Sequence, residues 1–419
     1  MNKTEHPPDE QKLTLTIEKL VHGGAGLARI NGKTCFIDGV LPGETVLARI
    51  DENRKQYLKA SLLDILEASP ERTAPPCPFA GLCGGCQWQH ISYPGQLAYK
   101  ASALKDCLVR IGKLYDCEIS PPAPSPLQLR YRSRAALKID NRKSPAMGFY
   151  QTKTHTLVRI TDCLLLEPEL IQALEVCRQL LRHNRLEAGG YTGLDLLAVT
   201  NTTAVLSLWQ DRKNRKKKKL LLNTATGTAG EQQSPLTEPV EGLIFLRDTE
   251  IFYQVNRQQN LAMIHTVLEF MEPVAGSGIL DLFCGCGNFS LFLAKQCAKI
   301  TGIDSNKAAI IEARNNTRLN GIENAQFQTA NIADLNENGL AKNYAGVLIN
   351  PPRGGCEART LHLLAEKNPA VIVYVSCDPS TLARDVRVLV DRGYTIDAIQ
   401  PFDMFPQTYH IETIVKLTK

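Results

Sequence analysis

The chain has 419 residues, 43% hydrophobic and 22% charged, which supports several packed domains and excludes an extended disordered chain. No apolar run approaches the roughly 20 residues that span a bilayer, and the polar start MNKTEHPPDE lacks the apolar core of a signal peptide. A cytoplasmic protein with no membrane partner is therefore expected. The net charge of +5 is too small to argue for nucleic acid by itself.

In chain order, residues 1–10 read as a loose tail. Residues 11–69 hold short alternating strands, LTLTIEKL, KTCFIDGV, ETVLARI and YLKASLLDIL, punctuated by glycines. This pattern reads as a small β-barrel, and periodicity alone does not separate a barrel from other small β-domains. The Pro-rich SPERTAPPCP is a linker. It leads into a cysteine cluster and then an amphipathic helix from Tyr93 to Gly112, extendable to about residue 118 and able to pack on the C-terminal domain. After a break at SPPAPSP, residues 129–210 read as mainly strands, with a helix from Pro168 to about Leu186. Residues Asn223 to Pro239 have the composition of an exposed loop. The central region is taken as residues 70–249.

Positive charge is concentrated at DRKNRKKKK (Asp211 to Lys219) and at Arg130, Arg132, Arg134, Arg142 and Lys143. Such patches can neutralise phosphates. A solvated loop is the alternative for the lysine run. The thirteen cysteines, in a reducing compartment, suit metal ligands, nucleophiles or core positions better than disulfides.

From residue 250 to 419 helical stretches alternate with the apolar strands GILDLF, KITGID, AQFQTA, AGVLIN and AVIVYVS. That alternation predicts an α/β, doubly wound, mostly parallel sheet with ligands at the carboxyl ends of its strands. The first such end, DLFCGCGNF, is a glycine turn, weak as a signal alone and lacking the full dinucleotide pattern. Asp304 ends the next strand, placed to bind both ribose hydroxyls of a nucleoside-type ligand such as S-adenosylmethionine. Asn331 is placed to contact its adenine. Helix capping by Asn288 and a turn at Asn331 are the structural alternatives.

Three further polar tips follow, at Asn350-Pro351-Pro352-Arg353, at Ser376-Cys377-Asp378-Pro379 and at Asp403 to Glu412. Methylation of carbon 5 of uracil needs a thiolate to add at carbon 6 and a base to remove the proton from carbon 5. Cys377 and Glu412 supply these types. A core cysteine and a surface glutamate are the bland alternatives, and His410 is the weaker candidate base. Asn350 can accept from uracil N3–H and donate to O4.

DLFCGCGNFS, YVSCDPSTLARD and DMFPQTYHIE resemble the three strongest motifs of the RNA uracil-5-methyltransferase family, in the type that acts on large-subunit ribosomal RNA. The resemblance covers nearly the whole chain. It implies a Rossmann-like C-terminal domain that binds S-adenosylmethionine through Gln254, Phe283, Asn288, Asp304, Asn331 and Asn350. It further implies Cys377 as nucleophile and Glu412 as proton acceptor. Cys77, Cys83, Cys86 and the distant Cys163 match the family's four ligands to a [4Fe–4S] cluster, although four thiolates could by chemistry alone hold zinc. The N-terminal barrel resembles a TRAM domain, an OB-like RNA-binding module. The implied product is 5-methyluridine in 23S ribosomal RNA, at uracil 1939 in standard numbering, made by a monomer.

The family usually has Asp where this chain has Asn350, which leaves room for another rRNA or tRNA uridine as target, or for a non-catalytic assembly factor. An amino-group methyltransferase would leave Cys377 unexplained. A radical enzyme would use C-x3-C-x2-C and leave one iron open.

Overall fold

Apolar residues that alternate along the first sixty positions bury one side of each strand, and the strands close over that side. The computed structural model describes residues 12–140, 146–182, 191–200, 202–210, 217–231, 235–335 and 344–419. The expected N-terminal tail, Arg142, Lys143 and most of the lysine run lie outside the described residues. Six strands between Lys12 and Glu67 form one sheet around Ile17, Ala28, Cys35, Ile37, Val46 and Ala48. All pairs are antiparallel except Lys33–Ile37 with Tyr57–Glu67.

The central region is a seven-stranded antiparallel sheet from Arg134 to Glu231, with the amphipathic helix Pro168–Arg182 on one face. Leu170, Ala173, Leu174 and Cys177 sit at helical spacing and are fully buried there. The stretch expected to be an exposed loop from Asn223 to Pro239 instead contains the strands Thr228–Glu231 and Leu236–Val240. Its polar composition hid them, because cross-strand pairing with Leu220–Asn223 and Leu243–Arg247 decides the conformation. The hairpin Leu236–Arg247 lies before the boundary expected at residue 249, yet its Leu243 and Phe245 pack in the C-terminal core.

In the C-terminal region five parallel strands, Gly278–Leu282, Lys299–Asp304, Ala325–Thr329, Gly346–Ile349 and Val371–Ser376, are extended by the hairpin Thr395–Phe402 and Glu412–Thr418. Taking these seven strands in chain order, the sheet runs 3-2-1-4-5-7-6, with the seventh antiparallel to the fifth. It is a Rossmann-like doubly wound sheet.

The helix Tyr93–Arg110 starts at Ser92, whose hydroxyl caps the Gly95 N–H at 3.1 Å. It leaves the central region and packs Leu104, Cys107 and Leu108 with Leu382, Ala383 and Val386 of helix Pro379–Val390. On its other side Lys100 enters the interior, where its ammonium lies 2.5 Å from Asp403 Oδ1 and donates to the Phe405 carbonyl at 3.1 Å. Both side chains of this pair are wholly buried. Around them, Gln407 N donates to Gln96 Oε1 at 2.8 Å, Gln87 N and Trp88 N donate to the Gln407 carbonyl, and the Tyr131 hydroxyl donates to the Pro406 carbonyl.

Removing one member of such a pair leaves a buried charge without its counterpart, a loss of about 3–5 kcal/mol. Lys100→Met, close in volume, should therefore lower the unfolding free energy by about that amount, measured by urea titration. Retention of wild-type stability would show that Asp403 does not depend on Lys100.

Candidate active site

The parallel register sets Leu282 beside both Ile303 and Ile349, and Ile349 beside Tyr374. Phe283, Asp304, Asn350 and Cys377 therefore emerge at one edge of the sheet. The antiparallel pairing of Ser376 with Thr413 brings the next residues outward, Cys377 and Glu412, to that same edge. Two residues far apart in sequence become electrostatic neighbours through this register alone.

The first turn is built for close approach of a ligand. Phe283 adopts φ +62°, a region that costs a bulky residue about 1–3 kcal/mol. It is held there by the N–H groups of Phe283 and Cys284, which donate to the Ile303 carbonyl at 2.8 and 3.2 Å. Gly287, at φ +88°, permits contact with Leu291, where a Cβ would lie 2.3 Å from the side chain. Asp304 ties the turn to its own strand: Oδ2 accepts from Gly285 N at 2.9 Å and Oδ1 from Asn306 N at 2.7 Å.

Asn288 does not cap a helix; it exchanges two 2.9 Å amide bonds with Asn260 of helix Arg257–Met271. Both line a cavity of about 230 Å³ with Gln254, whose Oε1 is buried and has no hydrogen-bond partner. An orphaned acceptor beside two amides fits a polar ligand with N–H groups, such as the amino acid portion of S-adenosylmethionine. Asn331 is exposed and caps the short turn Ile332–Asp334, accepting from Ala333 N at 3.4 Å and donating to Asp334 Oδ2 at 3.0 Å. Asn350 is half-buried at its strand end, where its N–H donates to the Leu282 carbonyl at 3.1 Å.

Burial, with neighbouring Glu412 adding to it, pushes the Cys377 thiol up to about 11, and Arg353 opposes both. Glu412 is buried, which lifts its carboxyl to about 8 against the pull of Arg353. Arg353, exposed in the Asn350–Arg353 turn, thus faces both groups, and its Nη2 lies 3.4 Å from His410 Nε2. Burial and Arg353 depress His410 to about 4, so the imidazole is neutral near pH 7.

Cys77, Cys83, Cys86 and Cys163 line one cavity of about 360 Å³ together with Arg132, Arg353 and His410. Among the described residues no group of three or more His, Cys, Asp or Glu side chains is arranged to hold a metal ion. As four soft donors on one cavity, the thiols are of the ligand type that takes zinc or an iron–sulfur group. The sequence motifs did not single out Asn260, Lys100 or His22, whose Nε2 lies 3.1 Å from Asp378 Oδ2. They are a helix, a buried and a barrel residue, respectively, with no local pattern to mark them.

Residues 236–419 match the tRNA (Uracil-5-)-methyltransferase family and residues 10–63 match the TRAM domain. The chain is 36% identical to the 23S rRNA (uracil(1939)-C(5))-methyltransferase RlmD of Shewanella amazonensis, over 96% of this chain and 94% of the relative. It is 33% identical to an uncharacterized RNA methyltransferase of Halalkalibacterium halodurans, over 100% of this chain and 99% of the relative. The crystal structure of the Pyrococcus abyssi tRNA (uracil-54, C5)-methyltransferase with S-adenosyl-L-homocysteine is similar, with a TM-score of 0.75 and 25% identity, covering 96% of this chain and 99% of that one. The chain belongs to the S-adenosylmethionine-dependent RNA (uracil-5-)-methyltransferase family, with an N-terminal TRAM domain.

Proposed function

We propose that the protein methylates carbon 5 of a uridine in 23S ribosomal RNA, at position 1939 in standard numbering, as the name of its Shewanella relative suggests. The observation that carries the chemistry is the pairing of Ser376 with Thr413, which sets Cys377 and Glu412 at one sheet edge beside Asn350 and the glycine turn. S-adenosylmethionine supplies the methyl group. Gln254, Phe283, Asn288, Asp304 and Asn331 would hold it, and Asn350, also expected among its contacts, would face the uracil amide edge.

Cys377, as thiolate, adds to carbon 6 and leaves carbon 5 with the electron pair that takes up the methyl group. Glu412 then accepts the proton from carbon 5, the double bond re-forms, and Cys377 departs. A cationic group beside Glu412, as Arg353 already is, favours the carboxylate that this step requires.

The four thiols, flanked by the guanidinium groups of Arg132 and Arg353, fit a [4Fe–4S] cluster, which carries net negative charge when ligated by four thiolates. Its role here would be to join the 77–86 loop to Cys163, with no electron needed for methyl transfer. The reading goes with a monomer in the cytoplasm, where the RNA and reduced thiols are found.

Incubation with labelled S-adenosylmethionine and unmodified ribosomal RNA should give labelled 5-methyluridine at one site. Label in transfer RNA alone would move the target to the substrate named for the Pyrococcus protein. Cys377→Ala should abolish covalent RNA capture, whereas Glu412→Gln should accumulate the adduct; normal turnover by Glu412→Gln would rule it out as the acceptor.

Glu412 also predicts a pH dependence of stability. Its folded value of about 8 lies above the ordinary 4.5, so the folded state holds the proton more tightly and loses stability as pH rises between these values. The unfolding temperature of Glu412→Gln, relative to wild type, should therefore climb from pH 5 to 8. A flat difference would place Glu412 in water. Cys83→Ser, purified without oxygen, should lose bound iron and visible absorbance, and unchanged iron would exclude Cys83 as a ligand.

A further inference from the structure

The turn that carries Cys377 is held from a direction that none of its motifs indicates. Asp378 divides its carboxylate. Oδ1 accepts from Ser380 N at 2.9 Å and Thr381 N at 3.0 Å, capping helix Pro379–Val390, while Oδ2 lies 3.1 Å from His22 Nε2. Asp378 N in turn donates to Ser376 Oγ at 3.1 Å. The contact with His22, with support from the Thr381 and Ser380 N–H groups, holds Asp378 down at about 2 despite partial burial. As a carboxylate it only accepts, so His22 Nε2 carries the proton it donates.

His22 lies in the N-terminal barrel, in the turn after the strand Lys19–Leu20. That turn also meets the loop leading to Glu412. The His22 ring stands edge-on to Tyr409 at 6.5 Å, and a Cβ on Gly24 (φ +89°) would lie 2.9 Å from the Tyr409 ring. Leu20, Leu41, Trp88 and Ile91 form a small apolar cluster with Tyr409 packed against it. One barrel turn therefore touches both chain segments that present the proposed nucleophile and base.

We propose that His22 is a positioning residue for methyl transfer: through its bond to Asp378 the barrel fixes the Cys377 turn relative to the Glu412 loop. The proposal rests on the reading of Cys377 as nucleophile. The bond is half-buried, and its effect on the site lies in geometry. The barrel thereby acts on the rate at saturating RNA, which an RNA grip alone would not do.

The test uses the full-length protein with ribosomal RNA carrying 5-fluorouridine, in which carbon 5 has no proton to lose and the adduct persists. Adduct formation is timed at saturating RNA and S-adenosylmethionine, and RNA affinity is measured separately. His22→Ala should slow adduct formation by about tenfold or more, with RNA affinity within about twofold of wild type. His22→Gln, whose amide can reach Asp378, should restore most of the rate. His22→Asn, too short to reach, should stay slow and replaces His22→Ala if that variant does not fold. Lys19→Ala, which cuts the separate barrel contact with Asp106, should react at the wild-type rate. A normal rate for His22→Ala or His22→Asn, a loss confined to RNA affinity, or equal slowing by Lys19→Ala would each overturn the proposal. Absence of adduct with the wild-type protein would instead overturn the Cys377 assignment, and this proposal with it.

Discussion

The buried pair of Lys100 with Asp403 is the constraint on which the site depends. Asp403 opens the loop that ends at Glu412, and that loop is tied to the rest of the chain by contacts from outside it as well as by its own turn at Phe405–Thr408. Lys100 supplies the counter-charge from a helix that crosses out of the central region. Burial alone drives the Lys100 ammonium toward its neutral form, and Asp403 opposes that drive. Neither charge is tolerable there without the other. The loop is then closed by the reciprocal bonds of Gln96 and Gln407 and by the Tyr131 hydroxyl. The loop that leads to Glu412 is thus held by residues about three hundred positions away.

The rest of the site follows from strand register. Parallel strands in register end together, and their ends and the turns that follow carry Phe283, Asp304, Asn331, Asn350 and Cys377 to one edge. The antiparallel pairing of Val371–Ser376 with Glu412–Thr418 lets a strand end and a strand start meet at the same edge. An all-parallel sheet would have sent Glu412 to the opposite end. The reversed final strand is what allows a thiol and a carboxyl to face one reacting base from neighbouring strands.

Electrostatics link the parts. Without Arg353, burial would keep both Cys377 and Glu412 more firmly protonated, and the Glu412 charge would still oppose ionisation of Cys377. Arg353 also borders the cavity of the four thiols, so the same guanidinium faces the proposed reaction centre on one side and the cysteine cluster on the other. The two sites share a wall that includes His410, held neutral by burial with that same charge adding to it.

Local sequence determined a good deal of this. Glycine spacing in DLFCGCGNF, the apolar alternation of the last 170 residues and the polar strand ends depend on backbone conformation and on burial of neighbouring residues, which a linear pattern can express. The cysteines and the motif residues could be named from their chemistry. Tertiary structure decided the rest. The strands at Thr228–Glu231 and Leu236–Val240 have loop-like composition and exist because partners pair with them. The turn at Asn331 was legible as an alternative because its bonds are local, whereas Asn288 emerged as half of an amide pair with Asn260, a bond that depends on what packs opposite. His22 and Lys100 carry no pattern at all: their meaning is the carboxylate each one meets, and only folding brings those carboxylates within reach.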